Sequence, residues 1–219
     1  MGIPVLILGE SGSGKSASLR NFKKGDVGVI NVAGKPLPFK TDIVPYNVSK
    51  KAKEKNTDRY TLIKSVIKKS SVNAFVIDDS QYLMAFDSFD KAKETGYGKF
   101  TDMAVSFEKL IEFCINEIED DKTVYFLHHC ETTDTGKQKA KTIGKMLDSQ
   151  LTIEGLFAIV LFCVTDGQTH KFITQSDGTT TAKSPMEMFE TEIDNDLKFV
   201  DERIREYYNL KGENENEEH

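Results

Sequence analysis

Arginine is scarce in this chain: 4 of its 219 residues, at 20, 59, 203 and 205, against 25 lysines. Transferring phosphate between two small molecules requires several arginines to neutralise two sets of phosphates in a dry site. No arginine-rich lid is visible, so a small-molecule kinase is disfavoured. Cysteine is scarce too. Cys114, Cys130 and Cys163 lie in or beside apolar stretches, are odd in number and lack metal-ligand spacing. They predict reduced, buried thiols in a cytosolic protein. Long apolar runs are absent. The longest, from Leu156 to Val164, has nine residues and reads as a buried strand rather than a membrane span. The chain enters its first strand within a few residues, which predicts neither a signal peptide nor an upstream domain. No internal repeat is visible.

An excess of positive charge is also missing. Net charge is −6 and the pI is near 5.4, which at first sight counts against nucleic-acid binding. The distribution matters more than the total. Glu213, Glu215, Glu217 and Glu218 fall in the ending GENENEEH, and without them the charge is −2. That ending has no apolar residue and is expected to be a disordered tail over 211–219, after one domain over 1–210. Lysines gather at 50, 51, 53 and 55, at 64, 68 and 69, and at 137, 139, 141 and 145. The first two groups read as solvated faces.

What is present is a sequence of apolar runs that alternate in period. Residues 3–8, 26–32, 73–77, 123–128 and 157–164 read as strands. Leu62, Ile63, Val66 and Ile67 predict a helix over 58–70. Met103, Phe107, Leu110, Ile111, Cys114 and Ile118 predict one over 101–119, and Ile193, Leu197, Val200, Ile204 and Tyr207 a last one. Two prolines make 35–39 (KPLPF) a loop. Segments 171–173 and 179–182 flank a Ser-Asp-Gly turn and predict a hairpin. Strands alternating with helices call for an α/β fold: a mostly parallel central sheet with helices on both faces, ending in a hairpin plus helix.

Residues 9–16, GESGSGKS, fit G-x-x-x-x-G-K-[ST], between a strand and a predicted helix start at 16–22. Such a loop cradles phosphate with backbone N–H groups. Gly9, Gly12 and Gly14 permit tight bends and close approach of an anion. The predicted helix would aim its positive dipole end into the cup. Glu10, Ser11, Ser13 and Ala17 complete the candidate binding segment. Lys15 would reach the β- and γ-phosphates, and Ser16 would offer its hydroxyl to Mg²⁺, which takes few protein ligands.

A second motif is FVIDDS, an apolar strand that ends in carboxylates. Asp78 stands where the acid on the Mg²⁺ side is expected. Asp79 follows and could orient or deprotonate water, although a continuing strand would turn it to the other face. Glu10 is the runner-up for that role. His128 and His129 end the next strand beside the same sheet edge, and a γ-phosphate-sensing role is assigned to His128. The competing expectation is that one histidine is core and the other a loop-edge donor.

Together the P-loop GESGSGKS, VINVAGKPLPF, FVIDDSQYL, FLHHCE, KTIGKMLDSQLTIEGLF and TTTAKSPMEMF resemble the phage-encoded RecA-like P-loop ATPases, some of which are single-strand annealing or recombination proteins. The resemblance spans nearly the whole chain. It implies an ASCE-type three-layer core that binds ATP and Mg²⁺ between side-by-side subunits of a ring or filament in the host cytoplasm. It also implies single-stranded DNA contacts from 131–150, where Lys137, Lys139, Lys141 and Lys145 could pair with phosphates. That segment reads as a long loop without clear structure and has no aromatic residue for base stacking. Lys183 resembles the position that sends a cation to a neighbour's γ-phosphate; it could equally be an exposed strand-end lysine. The chain departs from the family after its second strand, where 32–35 (VAGK) has no catalytic glutamate. Slow hydrolysis, with ATP acting as an assembly clamp, is then an alternative to Asp79 catalysis. A nucleotide-dependent adaptor or helicase loader, acting through protein contacts, fits the acidic balance equally well.

Overall fold

A computed structural model describes residues 1–96, 98–143 and 152–210. Among them, nine strands form the central sheet, in the order β3-β2-β4-β5-β1-β7-β8-β9 with β6 on β5. β1 (Ile3–Gly9) lies between β5 (Thr123–Thr132) and β7 (Ile159–Thr165), parallel to both. β4 (Ala74–Asp78) joins the other side of β5, followed by β2 (Val27–Asn31) and the short β3 (Tyr46–Asn47), all parallel. Every parallel strand therefore delivers its carboxyl end to one edge. Beyond β7 the direction reverses twice, through β8 (His170–Ile173) and β9 (Glu192–Asp194).

The strands are apolar on both sides because both faces are covered. Alternate residues of β1 divide accordingly: Leu6 and Leu8 join one core, Val5 and Ile7 the other. The first core is closed by α1 (Val48–Lys55), α2 (Arg59–Lys69), α3 (Gln81–Asp90) and α4 (Gly98–Asn116). The second is closed by α5 (Leu197–Tyr208) and by Leu19, Phe22, Leu37, Phe39 and Ile43 from the segments after β1 and β2. In α4 the periodic Met103, Phe107, Leu110, Ile111 and Cys114 are all buried, as their spacing predicts. Side-chain caps start α1, α2 and α5: Asn47 accepts from Lys50 N, Asp58 from Thr61 N, and Asp196 from Lys198 N and Phe199 N. The result is an α/β fold with a mostly parallel sheet between two helical layers.

Four local expectations change. The last helix starts later than predicted, since Ile193 belongs to β9 and α5 begins at Leu197 after its Asp196 cap. Segment 16–22 is a six-residue 3₁₀ helix, Ser16–Asn21, rather than an α-helix. Ser18 explains part of this, since its Oγ donates to the Lys15 carbonyl at 2.6 Å and draws the turn tight. The hairpin forms one turn earlier than predicted. β7 and β8 pair antiparallel around Asp166–Thr169, where Asp166 Oδ1 accepts from Gln168 N and Thr169 N. The Ser-Asp-Gly turn closes locally instead, Ser176 Oγ donating to Thr180 O. Finally, 131–140 is not an unstructured loop. β6 (Gln138–Ala140) folds back on the end of β5, with Cys130 opposite Ala140 and Thr132 opposite Gln138. The predicted tail lies outside the described residues.

Candidate functional site

The glycine-rich segment leaves the end of β1 and bends through left-handed backbone at Gly12 (φ 82°) and Gly14 (φ 101°). Gly9 is required for another reason. A Cβ there would lie 2.6 Å from both Ser13 Oγ and the Cys163 carbonyl. The loop is fastened from behind: the Ser13 carbonyl accepts from Cys163 Sγ at 3.0 Å and from His170 Nδ1 at 2.8 Å. Asn195 Nδ2 in turn donates to Cys163 Sγ, and Arg20 donates to the Asn195 carbonyl. Ser13 Oγ is buried and has no partner among the described residues. Glu10, Ser11 and Gly12 form the exposed rim, while Ala17 is half-buried.

Lys15 is 7 % exposed, and its Nζ donates to the carbonyls of Gly9 (2.8 Å) and Glu10 (2.7 Å). Burial lowers its pKa, against the pull of Asp79 and Asp78. Across β5, Ser16 Oγ donates to Asp78 Oδ1 at 2.8 Å, joining two motifs 62 residues apart. Burial raises the pKa of Asp78, assisted by the Asp79 charge and opposed by Ser16.

Asp79 answers the objection that consecutive strand residues face opposite ways. β4 ends at Asp78, and Asp79 adopts φ 59°, which turns it back toward the same edge. Its Oδ2 meets Lys35 Nζ at 2.6 Å and its Oδ1 meets His129 Nε2 at 3.4 Å. Burial pushes this carboxyl up, but the hydrogen bonds from His129 and Lys35 outweigh it and hold the pKa below the ordinary value. The two adjacent acids are thus driven apart, the pattern that separates roles in paired-carboxyl sites.

The two histidines differ. His128 is fully buried, with Nε2–H donating to the Lys141 carbonyl at 2.7 Å and Nδ1 accepting from Ser80 Oγ at 2.9 Å. Burial pushes its pKa down to about 4. Both ring nitrogens are therefore committed, and it is His129 that faces the acids. Lys183 lies along β7, the neighbour of β1: its backbone N–H and C=O both pair with Val160, each at 2.8 Å. Lys137, Lys139 and Lys141 alternate along β6 and its flanks. Lys137 and Lys141 are exposed, whereas Lys139 pairs with Glu131 at 3.3 Å. Lys145 lies outside the described residues. The intervening Gln138 reaches the glycine-rich loop, donating to Glu10 Oε1 at 3.3 Å.

Lys35, Gln138 and His170 were not legible as site residues; of the two histidines expected at this edge, it is His129 rather than His128 that meets an acid. Each reaches the loop or the acids through contacts distant in sequence. The one local hint is the Gly-Lys pair directly after β2. A cleft of about 660 Å³ opens at the opposite end of β1, lined by Met1, Ile3, Pro4 and Ile115 with Asp120 and Asp121. Among the described residues its charged side chains are Asp120 and Asp121, the first paired with the Met1 ammonium. Among the described residues no group of three or more His, Cys, Asp or Glu could hold a metal by itself, and no helix is long and apolar enough to cross a membrane. No protein-family model matches the chain, and no curated protein matches it either.

Proposed function

We propose that this chain is a Mg²⁺-dependent ATP-binding protein of RecA-like, ASCE-type core that hydrolyses ATP while acting on single-stranded DNA. One observation carries the nucleotide reading: the 2.8 Å hydrogen bond from Ser16 to Asp78. The hydroxyl and the carboxylate expected to share one Mg²⁺ are within reach of a common ion, although the motifs bearing them are separated by β5. Ser13 Oγ and Lys15 are both buried, the first without a partner and the second without a counter-ion in contact among the described residues, and both fit a phosphate in the loop.

In this reading Lys15, now on two carbonyls, would serve the β- and γ-phosphates, and Ser16 and Asp78 would hold Mg²⁺, which would supply charge to the phosphates. Two protein ligands fit such an ion, since Mg²⁺ sites commonly use only one or two carboxylate or hydroxyl groups. Asp79, held low in pKa, orients the attacking water and supplies the acid missing after β2. Lys137 and Lys141 offer charge to a nucleic-acid backbone, and Gln138 ties their hairpin to the nucleotide loop. Lys183 keeps its assignment as a cation for a neighbouring subunit of a homo-oligomer. The alternative reading, an adaptor or helicase loader working through protein contacts, is favoured by one observation. Lys139 is already paired with Glu131, which weakens the positive face of β6.

The test is ATP hydrolysis by the purified protein with Mg²⁺, with and without single-stranded DNA at low salt. Stimulation by DNA is expected. Hydrolysis indifferent to DNA would transfer the proposal to the adaptor reading.

A further inference from the structure

Both oxygens of Asp79 are engaged, Oδ2 by Lys35 and Oδ1 by His129, so a partner that leaves frees an acceptor site and unscreened charge for water. Lys35 is the partner built to leave. Its side chain is 61 % exposed, against 7 % for that of Asp79, so the cation is the movable member and the carboxylate the fixed one. The backbone beneath Lys35 is anchored. Asn31 accepts from Gly34 N at 2.6 Å and donates to the Lys35 carbonyl at 2.5 Å. Gly34 takes φ 75°, and a Cβ there would meet Asn47 Nδ2 at 2.6 Å. A flexible four-carbon stem thus swings from a fixed base. Its ammonium also lies 5.8 Å from the centre of the Tyr82 ring, a cation–π contact that steadies the resting position. The positive charges of Lys35 and Lys15 both act on Asp78 and favour its ionised form.

We propose that Lys35 is the residue that distinguishes a bound nucleoside triphosphate from a diphosphate, by exchanging Asp79 for the terminal phosphate. The inference rests on the nucleotide reading above. A γ-phosphate held between Lys15 and Asp78 competes with Asp79 for the Lys35 ammonium, as a more highly charged acceptor. A diphosphate ends before that point and leaves the Lys35–Asp79 pair closed. The same exchange frees Asp79 Oδ2 only when there is a γ-phosphate to attack, which couples recognition to the release of the water-orienting acid.

Calorimetric titration with Mg²⁺ and either ADP or a non-hydrolysable ATP analogue tests this without relying on turnover. Lys35→Met is expected to weaken the triphosphate analogue by about tenfold or more while leaving ADP unchanged. Lys35→Arg is expected to restore part of the difference. Asp79→Asn is expected to act in the opposite direction, strengthening the triphosphate analogue because the competitor has lost its charge. A merely structural role for the pair would not give opposite signs. Equal weakening of both nucleotides by Lys35→Met, or no change in either, overturns the inference and leaves the nucleotide reading intact. A wild-type protein that binds neither nucleotide overturns both.

Discussion

At the amino end of the sheet, Asp201 of α5 accepts from Thr123 Oγ1 and Tyr125 Oη at 2.6 Å each and from Arg205 Nε at 2.7 Å. Arg205 spends its other donors on the carbonyls of Asp121 and Asn73. Nearby, buried Lys122 donates to the Ser70 carbonyl at 2.7 Å and meets Glu119 at 2.8 Å. At the carboxyl end, Lys15 is also buried, but its ammonium rests on two neutral carbonyls of its own loop. Asp79 there occupies backbone that side chains seldom adopt. Burying charge is costly at both ends. The amino end offsets the cost with opposite charge and full hydrogen bonding, and so clamps α5 to β5. The carboxyl end leaves part of the cost uncompensated, as expected where a ligand completes the set.

Paired substitutions break or sharpen this contrast. Arg205→Ala strands a buried Asp201 and is expected to lower stability by about 3–5 kcal/mol, measured by urea unfolding, while nucleotide affinity in the folded protein is retained. Lys15→Ala should reverse that profile. Stability changes by no more than about 1 kcal/mol, whereas affinity for ATP falls by about 100-fold or more, because the main counter-charge to the phosphates is gone. If Arg205→Ala unfolds at an unchanged urea midpoint, or Lys15→Ala binds ATP undiminished, the two ends are not different in kind.

A smaller effect is expected from the lysines at 137, 139, 141 and 145. Replacing Lys137, Lys139, Lys141 and Lys145 with Gln should flatten the salt dependence of single-stranded DNA binding, by about 0.7 in log–log slope for each phosphate no longer neutralised. Lys139 should contribute least, being held by Glu131. An unchanged slope moves the DNA-binding face elsewhere. The smallest effect concerns His128, which sits near the carboxyl end yet behaves like the amino end. Its ordinary pKa of 6.5 falls to about 4 in the folded chain. Between those values the unfolded chain takes up a proton that the folded one refuses. Its contribution is therefore whole above pH 6.5 and is lost as pH falls, by at most about tenfold in the folding constant per pH unit. His128→Gln should show a shallower loss of urea midpoint between pH 7 and pH 5.

Most of the sheet and the two longest helices could be read directly, because runs such as those in β1, β5 and β7 and the 3–4 spacing of α4 are local signals of burial. Helix α1 could not, since Val48–Lys55 buries only Val48 and Ala52 and its lysines mask the period. Its asparagine caps at 47 and 56 were the available cue. Two Asp-Gly pairs, at 166–167 and 177–178, gave equal turn signals, and only strand pairing selects the first as the hairpin. The glycine-rich loop and Asp78 were legible because spacing alone defines them. The engagement of Asp79 by Lys35 was not: it depends on β2 lying beside β4, and on a left-handed residue that no pattern announces.

The fastening of the Ser13 carbonyl by Cys163 and His170 has a kinetic consequence. A loop already held in shape by β7 and β8 has little searching left to do when an anion arrives. On the proposed nucleotide reading, capture then rearranges side chains (Lys15, Ser16, Asp78 and Lys35) but not the loop backbone, so variants that loosen this support, such as His170→Ala, should alter how the loop waits for its ligand rather than what the ligand touches. The fit between guest and loop is then expressed mainly in residence time.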